Sequence, residues 1–277
     1  MLYSGTLCAY NLILPFHMSN TPQHPLDFLP QVAQARAKVL ATEQARPQRR
    51  LLLIGLPGSG KTYSTITTCP NVVVLDFDNQ LDHPDVRQAV RAVFPLWDEA
   101  WMKTELKLAQ PTIDARLLAV VEQYVAKMPP DTTVVVDAIS TIADAVKDSL
   151  TARAPKGDSY WYWREWSNFW RRFITALKNV QCHVVVLAHE TQARDSETGR
   201  ILNYGWLLQG QEFSPRLPQF FTDVCRQVRD STVDPQTGRV TNKYQWQIGY
   251  TKEFDVAKSR CTAGTLYIPA DWRVLTK

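Results

Sequence analysis

The chain has 277 residues, 45% of them hydrophobic and 21% charged, with a net charge of +4 at neutral pH. That length fits one large α/β domain or two small ones around a substantial core, and the ordinary composition excludes a disordered or fibrous chain. Five scattered cysteines, none spaced as C-x-x-C, exclude a disulfide framework and a zinc ribbon, and no apolar run reaches the roughly 18–20 residues of a membrane span.

Residues 1–17, MLYSGTLCAYNLILPFH, are apolar but lack the basic start and small-residue cleavage site of a signal peptide. Met18 opens an ordinary polar N-terminus, so the expectation is translation from Met18, with residues 1–17 a non-native or disordered leader. Residues 18–47 read as a helical or linker segment, with helical character over 29–45, ahead of one domain spanning 48–277. RLLLIGL (50–56) reads as a buried strand, followed by a glycine-rich turn and a short helix. NVVVLDFD (71–78) is a second β-branched run, ending in acids. Apolar residues at 113, 117, 118, 121, 124 and 125 give 112–128 the spacing of an amphipathic helix.

TTVVVDAI (132–139) and CHVVVLAH (182–189) are the third and fourth strand candidates. Such continuous aliphatic runs, separated by helices, predict a parallel sheet covered on both faces. VCRQVRD (224–230), a turn at DPQTGR (234–239) and KYQWQIGY (243–250) predict an antiparallel hairpin. The predicted fold class is therefore α/β, a mainly parallel sheet flanked by helices with a C-terminal antiparallel hairpin.

Between the third and fourth strands lies YWYWREWSNFWRR (160–172), which offers either a base-stacking platform or one wall of the core. At 100° per residue, Tyr162, Trp163, Trp166, Phe169, Trp170, Phe173, Ile174 and Leu177 share an arc of about 140°, with the charged residues on the other side. Segregation of that kind predicts a helix packing its aromatic face on the sheet. Trp161 alone falls on the polar side.

GLPGSGKT (55–62) matches G-x-x-x-x-G-K-[ST] at every fixed position, between a strand and a helix. Gly55, Pro57, Gly58, Ser59 and Gly60 form the turn whose amides cradle phosphate oxygens, with Tyr63 next in the helix. Lys61 is placed to reach the β- and γ-phosphates, and Thr62 to ligate Mg²⁺ through its hydroxyl. Asp137, ending the aliphatic run TVVVD, supplies the carboxylate that Mg²⁺ needs. The cofactors expected are ATP and Mg²⁺.

The run LDFDNQLDHPDV (75–86) resembles the RecA-like family, whose equivalent strand ends in acid-x-Glu before a Leu-Asp-Pro-like run. The resemblance puts Asp78 where the catalytic Glu stands, one methylene short, which implies slow hydrolysis. It implies that His189 or Glu190, in LAHE, senses the γ-phosphate. It also makes the long segment 191–224 a second DNA-binding loop containing Arg194 and Arg200. GQEFSPRLPQFFTDV (210–224) is similar to a signature of phage-encoded RecA-like ATPases, the group containing minimal single-strand annealing proteins. In FDVAKSRCT (254–262), Lys258 and Arg260 match basic residues that reach the ATP of a neighbouring subunit. The loop TARAPKGDSY (151–160) matches a first DNA-binding loop, with Arg153, Lys156, Tyr160 and Trp161 as stacking and phosphate candidates.

The resemblance spans about residues 48–262 and implies an ATP-dependent protein that binds single-stranded DNA and acts in recombination or annealing. It further implies a homo-oligomer with ATP at subunit interfaces, a single-strand-binding protein as a partner, and the cytoplasm of a bacterial host. Two readings remain open beside it. A small-molecule kinase also carries GLPGSGKT, though only Arg194, Arg200 and Arg216 are available in the segment 191–217 for a lid. A DNA-binding assembly protein could instead hold ATP with little hydrolysis.

Overall fold

Near-continuous Val, Leu and Ile make the strands at the centre of the molecule. They are β1 (Arg50–Gly55), β2 (Val72–Asp76), β4 (Thr133–Asp137) and the first half of β5 (His183–Arg194), with the mostly exposed strand β3 (Val90–Val93) at one edge. The structure is a computed structural model describing residues 48–79, 81–94, 96, 104, 112–208, 214–261 and 264–276. The expectations for residues 1–47, the Met18 start and the 29–45 helix among them, lie outside these residues.

The remaining strands are β6 (Ile201–Trp206), β7 (Asp223–Val233), β8 (Val240–Gln247) and β9 (Tyr267–Pro269). The sheet order is β3-β2-β4-β5-β1-β7-β8-β9, with β6 paired to β5 off this path. Neighbours from β3 across to β7 are parallel, and β8 and β9 add antiparallel. The parallel sheet and the C-terminal hairpin are thus as the sequence predicts, a mixed α/β fold of the P-loop NTPase kind.

Strand alternation sends side chains to two cores. Leu52 and Ile54 join Leu117, Val146, Trp170 and Phe173 on one face, under helices α3 (Ile113–Gln123), α4 (Ile139–Arg153) and α5 (Ser159–Asn179). Leu51 and Leu53 face the other way, with Ile66, Val86 and Trp272 from α1 (Lys61–Thr68), α2 (Pro84–Ala89) and α6 (Trp272–Leu275). The C-terminal α6 is tied to α1 where the Trp272 amide donates to Thr68 Oγ1 at 2.9 Å.

Helix α5 carries the tryptophans. Asp158 caps it, accepting from the amides of Tyr160 and Trp161 at 3.1 and 2.9 Å. Trp166, Phe169, Trp170, Phe173, Ile174 and Leu177 are buried as the arc predicts. The first turn departs from it. Trp163 is 49% exposed, whereas Trp161 is half-buried against the core. Helix α4 flanks this turn, with Asp144 and Asp148 near Tyr162, so burial is rotated toward Trp161 and Tyr162 and away from Trp163. Trp161, expected on the polar side, is thus half-buried against the core.

Segment 191–224 is not a long loop. Strand β5 continues to Arg194 and turns back through DSETGR (195–200) into β6, and a 3-10 helix spans Ser214–Phe220. Residues 209–213, which include the first four residues of the GQEFSPRLP signature, lie outside the described residues. The second hairpin, β7–β8, turns through DPQTGR. The two turns share one construction. Asp195 and Asp234 each accept from the amides two and three residues on, and Gly199 and Gly238 both take φ 67°. Because Gly55 pairs with His189 and Ile54 with Arg226, both hairpins project past the end of β1, on either side of the turn that follows it.

Candidate active site

The turn after β1 is held in the shape its glycines allow. Gly58 and Gly60 sit at φ 69° and 87°, and the Ser64 amide donates to Gly60 O at 2.9 Å as α1 begins. Lys61 is buried, its ammonium donating to Gly55 O at 2.8 Å and Leu56 O at 3.0 Å. Burial lowers its pKa, against the opposing pull of Asp137, Asp78 and Glu190.

Beside α1, the ends of β2 and β4 bring carboxylates together, with Asp76 and Asp137 in register. Asp137 Oδ2 accepts from Thr62 Oγ1 at 2.7 Å, and the Asp137–Ala138 peptide is cis. Burial pushes the Asp137 carboxyl up to about 6; the Thr62 bond and Lys61 oppose this, and the charges of Asp78 and Asp76 add to it. A divalent cation next to Thr62 and Asp137 relieves that crowding of negative charge, so the residues present fit Mg²⁺. Thr62 and Asp137 would hold such an ion, which would supply positive charge against the phosphates of a nucleotide.

Asp78 lies just past β2. It accepts from Thr141 Oγ1, and its Oδ2 is 3.4 Å from His189 Nε2. Burial acts to raise its pKa, but hydrogen bonds from His189, Thr141 and the Ala138 amide, with the electrostatic pull of the nearby His189, hold it below the ordinary value. Lys61, Thr62, Asp78, Asp137 and His189 all line one cleft of about 230 Å³, together with Pro57, Gly58 and Gly60. Tyr63, His83 and Val86 also line it, the Tyr63 and His83 rings meeting edge-on at 5.0 Å. Ser59 is buried behind the turn.

Other candidates lie elsewhere. Glu190 points to the opposite face of β5 from His189 and is taken by Arg226, at 2.8 and 3.2 Å, whose guanidinium stacks on Tyr204 at 3.5 Å. Of the two residues proposed for γ-phosphate sensing, only His189 is in the cleft. Lys258 and Arg260 are exposed beside the start of β7, where Val224 is level with Leu52, toward the opposite end of β1 from Gly55. There Lys258 Nζ donates to Pro218 O at 3.2 Å and the Arg260 amide to Asp223 at 2.9 Å. They do not meet this chain's own site.

Arg153 ends α4 instead of lying in a loop, and Asp114 holds it at 2.7 Å. Lys156 and Tyr160 are exposed, Tyr160 at 82%. Arg194 and Arg200 are exposed on the first hairpin, Arg194 donating to Gly199 O at 3.1 Å and Arg200 lying 3.7 Å from Glu253.

Sequence reasoning missed Thr141, Arg226 and the residues of β7 and β8 that reach the phosphate turn. The DPQTGR turn carried that last signal, since it sets the register pairing Gln227 with Trp246 and Arg229 with Tyr244.

A family model described as an AAA domain matches residues 47–261. No curated relative matches the chain. Since that match takes in the phosphate turn, both carboxylate-bearing strand ends and both hairpins, and covers well over half of the sequence, the chain belongs to the AAA domain family of P-loop ATPases.

Proposed function

We propose that the chain is a RecA-like ATPase, stimulated by single-stranded DNA, that promotes annealing or strand exchange. The observation that carries this reading is the course of β5. One continuous strand presents His189 to the cleft, against Asp78, and five residues later becomes an exposed arm bearing Arg194 and Arg200. A rigid element linking the site of phosphate chemistry to a cationic arm is what coupling of ATP to a polyanion requires.

In this reading Lys61 binds the β- and γ-phosphates, while Thr62 and Asp137 hold Mg²⁺. Asp78, fixed by Thr141, orients the attacking water, and His189 transmits the state of the γ-phosphate along β5. Tyr160 and Trp163 offer exposed rings for base stacking, with Lys156 nearby for phosphate. Lys258 and Arg260, beside the start of β7 and away from the phosphate turn, act on the nucleotide of another copy, so the working form is a homo-oligomer. A single-strand-binding protein is a further partner, and a phage origin goes with the same resemblance.

The test is ATP hydrolysis with and without single-stranded DNA, beside a Lys61→Ala control. Stimulation by DNA that vanishes in the control is expected. Turnover indifferent to DNA, with no DNA retained in a filter assay at low salt, overturns the reading.

A further inference from the structure

We propose that the β7–β8 hairpin is a working part of the nucleotide site, with Arg229 and Tyr244 as positioning residues for the phosphate turn. The inference rests on GLPGSGKT binding nucleotide and is independent of the DNA reading.

Lys61 holds the turn from within through Gly55 O and Leu56 O, and further contacts reach it from outside. β1 stops at Gly55, and within the turn the Ser59 amide bonds only back to Leu56 O, at 3.1 Å. Support comes from one face of the hairpin, because residues two apart on a strand point the same way. Gln227 is buried, and its Oε1 accepts from Ser64 Oγ at 3.0 Å and from Trp246 Nε1 at 2.8 Å, joining the first turn of α1 to both strands. Two residues on, Arg229 Nη1 donates to Gly58 O at 3.1 Å. Tyr244, the cross-strand partner of Arg229, lies against Gly60 so closely that a Cβ there would fall 2.8 Å from its ring.

Gly58, Gly60 and Ser64 are thus each fixed by the hairpin. Phosphate binding requires the amides of this turn to converge before the ligand arrives, and every residue already held reduces the ordering that binding must impose. When the binding-competent shape is populated only in part, apparent affinity falls by that fraction, whereas chemistry in the occupied site does not. Arg229 and Tyr244 therefore act on the KM for ATP and not on kcat.

The experiment measures steady-state ATP hydrolysis and the binding of a fluorescent ATP analogue with Mg²⁺. It compares wild type with Arg229→Ala, Arg229→Lys, Tyr244→Ala and Tyr244→Phe, and with a hairpin-tip control, Arg239→Ala. Arg229→Ala and Tyr244→Ala each raise KM and Kd about five-fold, the scale of one partly exposed contact. In both, kcat stays within about two-fold. Arg229→Lys keeps a donor and recovers most of the affinity, and Tyr244→Phe keeps the ring. Arg239→Ala changes nothing.

Hydrogen exchange gives a second readout: in wild type, nucleotide slows exchange across residues 228–245, and in the Arg229→Ala, Tyr244→Ala double variant it does not. Wild-type KM and Kd in both single alanine variants overturn the proposal, as does a fall in kcat at constant KM. Failure of wild type itself to bind the analogue removes the nucleotide reading together with this one, whereas wild-type binding lost in Lys61→Ala leaves Arg229 and Tyr244 to be judged alone.

Discussion

Asp137 makes the nucleotide-free protein pay for its own metal site, and the size of that penalty can be worked out. Its carboxyl titrates near 6 in the fold against an ordinary 3.8, driven by burial and by the neighbouring Asp78 and Asp76. At about 1.36 kcal/mol per unit, the ionised group destabilises the folded state by about 3 kcal/mol. A raised carboxyl pKa means that the folded chain holds its proton more tightly than the unfolded chain. Stability from this group is therefore complete below pH 3.8 and is lost as pH rises through about 6. Asp137→Asn keeps an oxygen to accept from Thr62 Oγ1 but carries no charge. Urea denaturation followed by tryptophan fluorescence, without nucleotide or Mg²⁺, should find the variant up to about 3 kcal/mol more stable at pH 7.5 and level with wild type near pH 4. Mg²⁺ and ATP should reverse the order at pH 7.5, since only the carboxylate gains from the cation. Equal stabilities at pH 7.5, or a variant that is weaker there, refute the argument from buried charge.

Four further outcomes follow from the structure. Trp170→Ala removes a fully buried ring and should cost about 3–5 kcal/mol in denaturant melts, whereas Trp163→Ala stays within about 0.5 kcal/mol. In the DNA reading, Trp163→Ala nevertheless weakens retention of single-stranded DNA by about five-fold or more in a titration at fixed salt. Glu190→Ala strands the largely buried Arg226 guanidinium and should destabilise by about 2–4 kcal/mol in the same melts, with the Tyr204 stack only partly compensating. Asp78→Asn should lower ATP turnover about 100-fold while leaving nucleotide affinity within about three-fold, because the side chain touches water and not phosphate in the proposed mechanism.

What could be read from the sequence is what short-range chemistry determines. The aliphatic runs forced buried parallel strands, the GLPGSGKT spacing located the phosphate turn, and Asp137 followed from the end of a strand. Helix α5 shows the limit of that reasoning: periodicity orders its faces correctly from Trp166 onward. It cannot tell where α4 flanks the helix, so Trp161 and Trp163 exchange roles at the first turn.

The hairpins show a different limit. DSETGR and DPQTGR have the same Asp, Thr, Gly and Arg at the same offsets, but only the second reads as a turn from sequence, because alternating strand residues flank it on both sides. Before the first, β5 begins as a buried parallel strand and ends as an exposed antiparallel one, so no single pattern runs through it. That change of character at His189–Glu190 is itself informative. A residue on one face of β5 enters the nucleotide cleft, and its neighbour on the other face locks β5 to β7 through Arg226. The two arms are thereby clamped to each other across the end of β1, and β7 with its partner β8 grips the phosphate turn through Arg229 and Tyr244. A change in the shape of that turn has two routes outward, through His189 into the first arm and through Arg229 into the second. By linkage, whatever grips either arm alters the affinity for nucleotide by the same factor that nucleotide alters the grip.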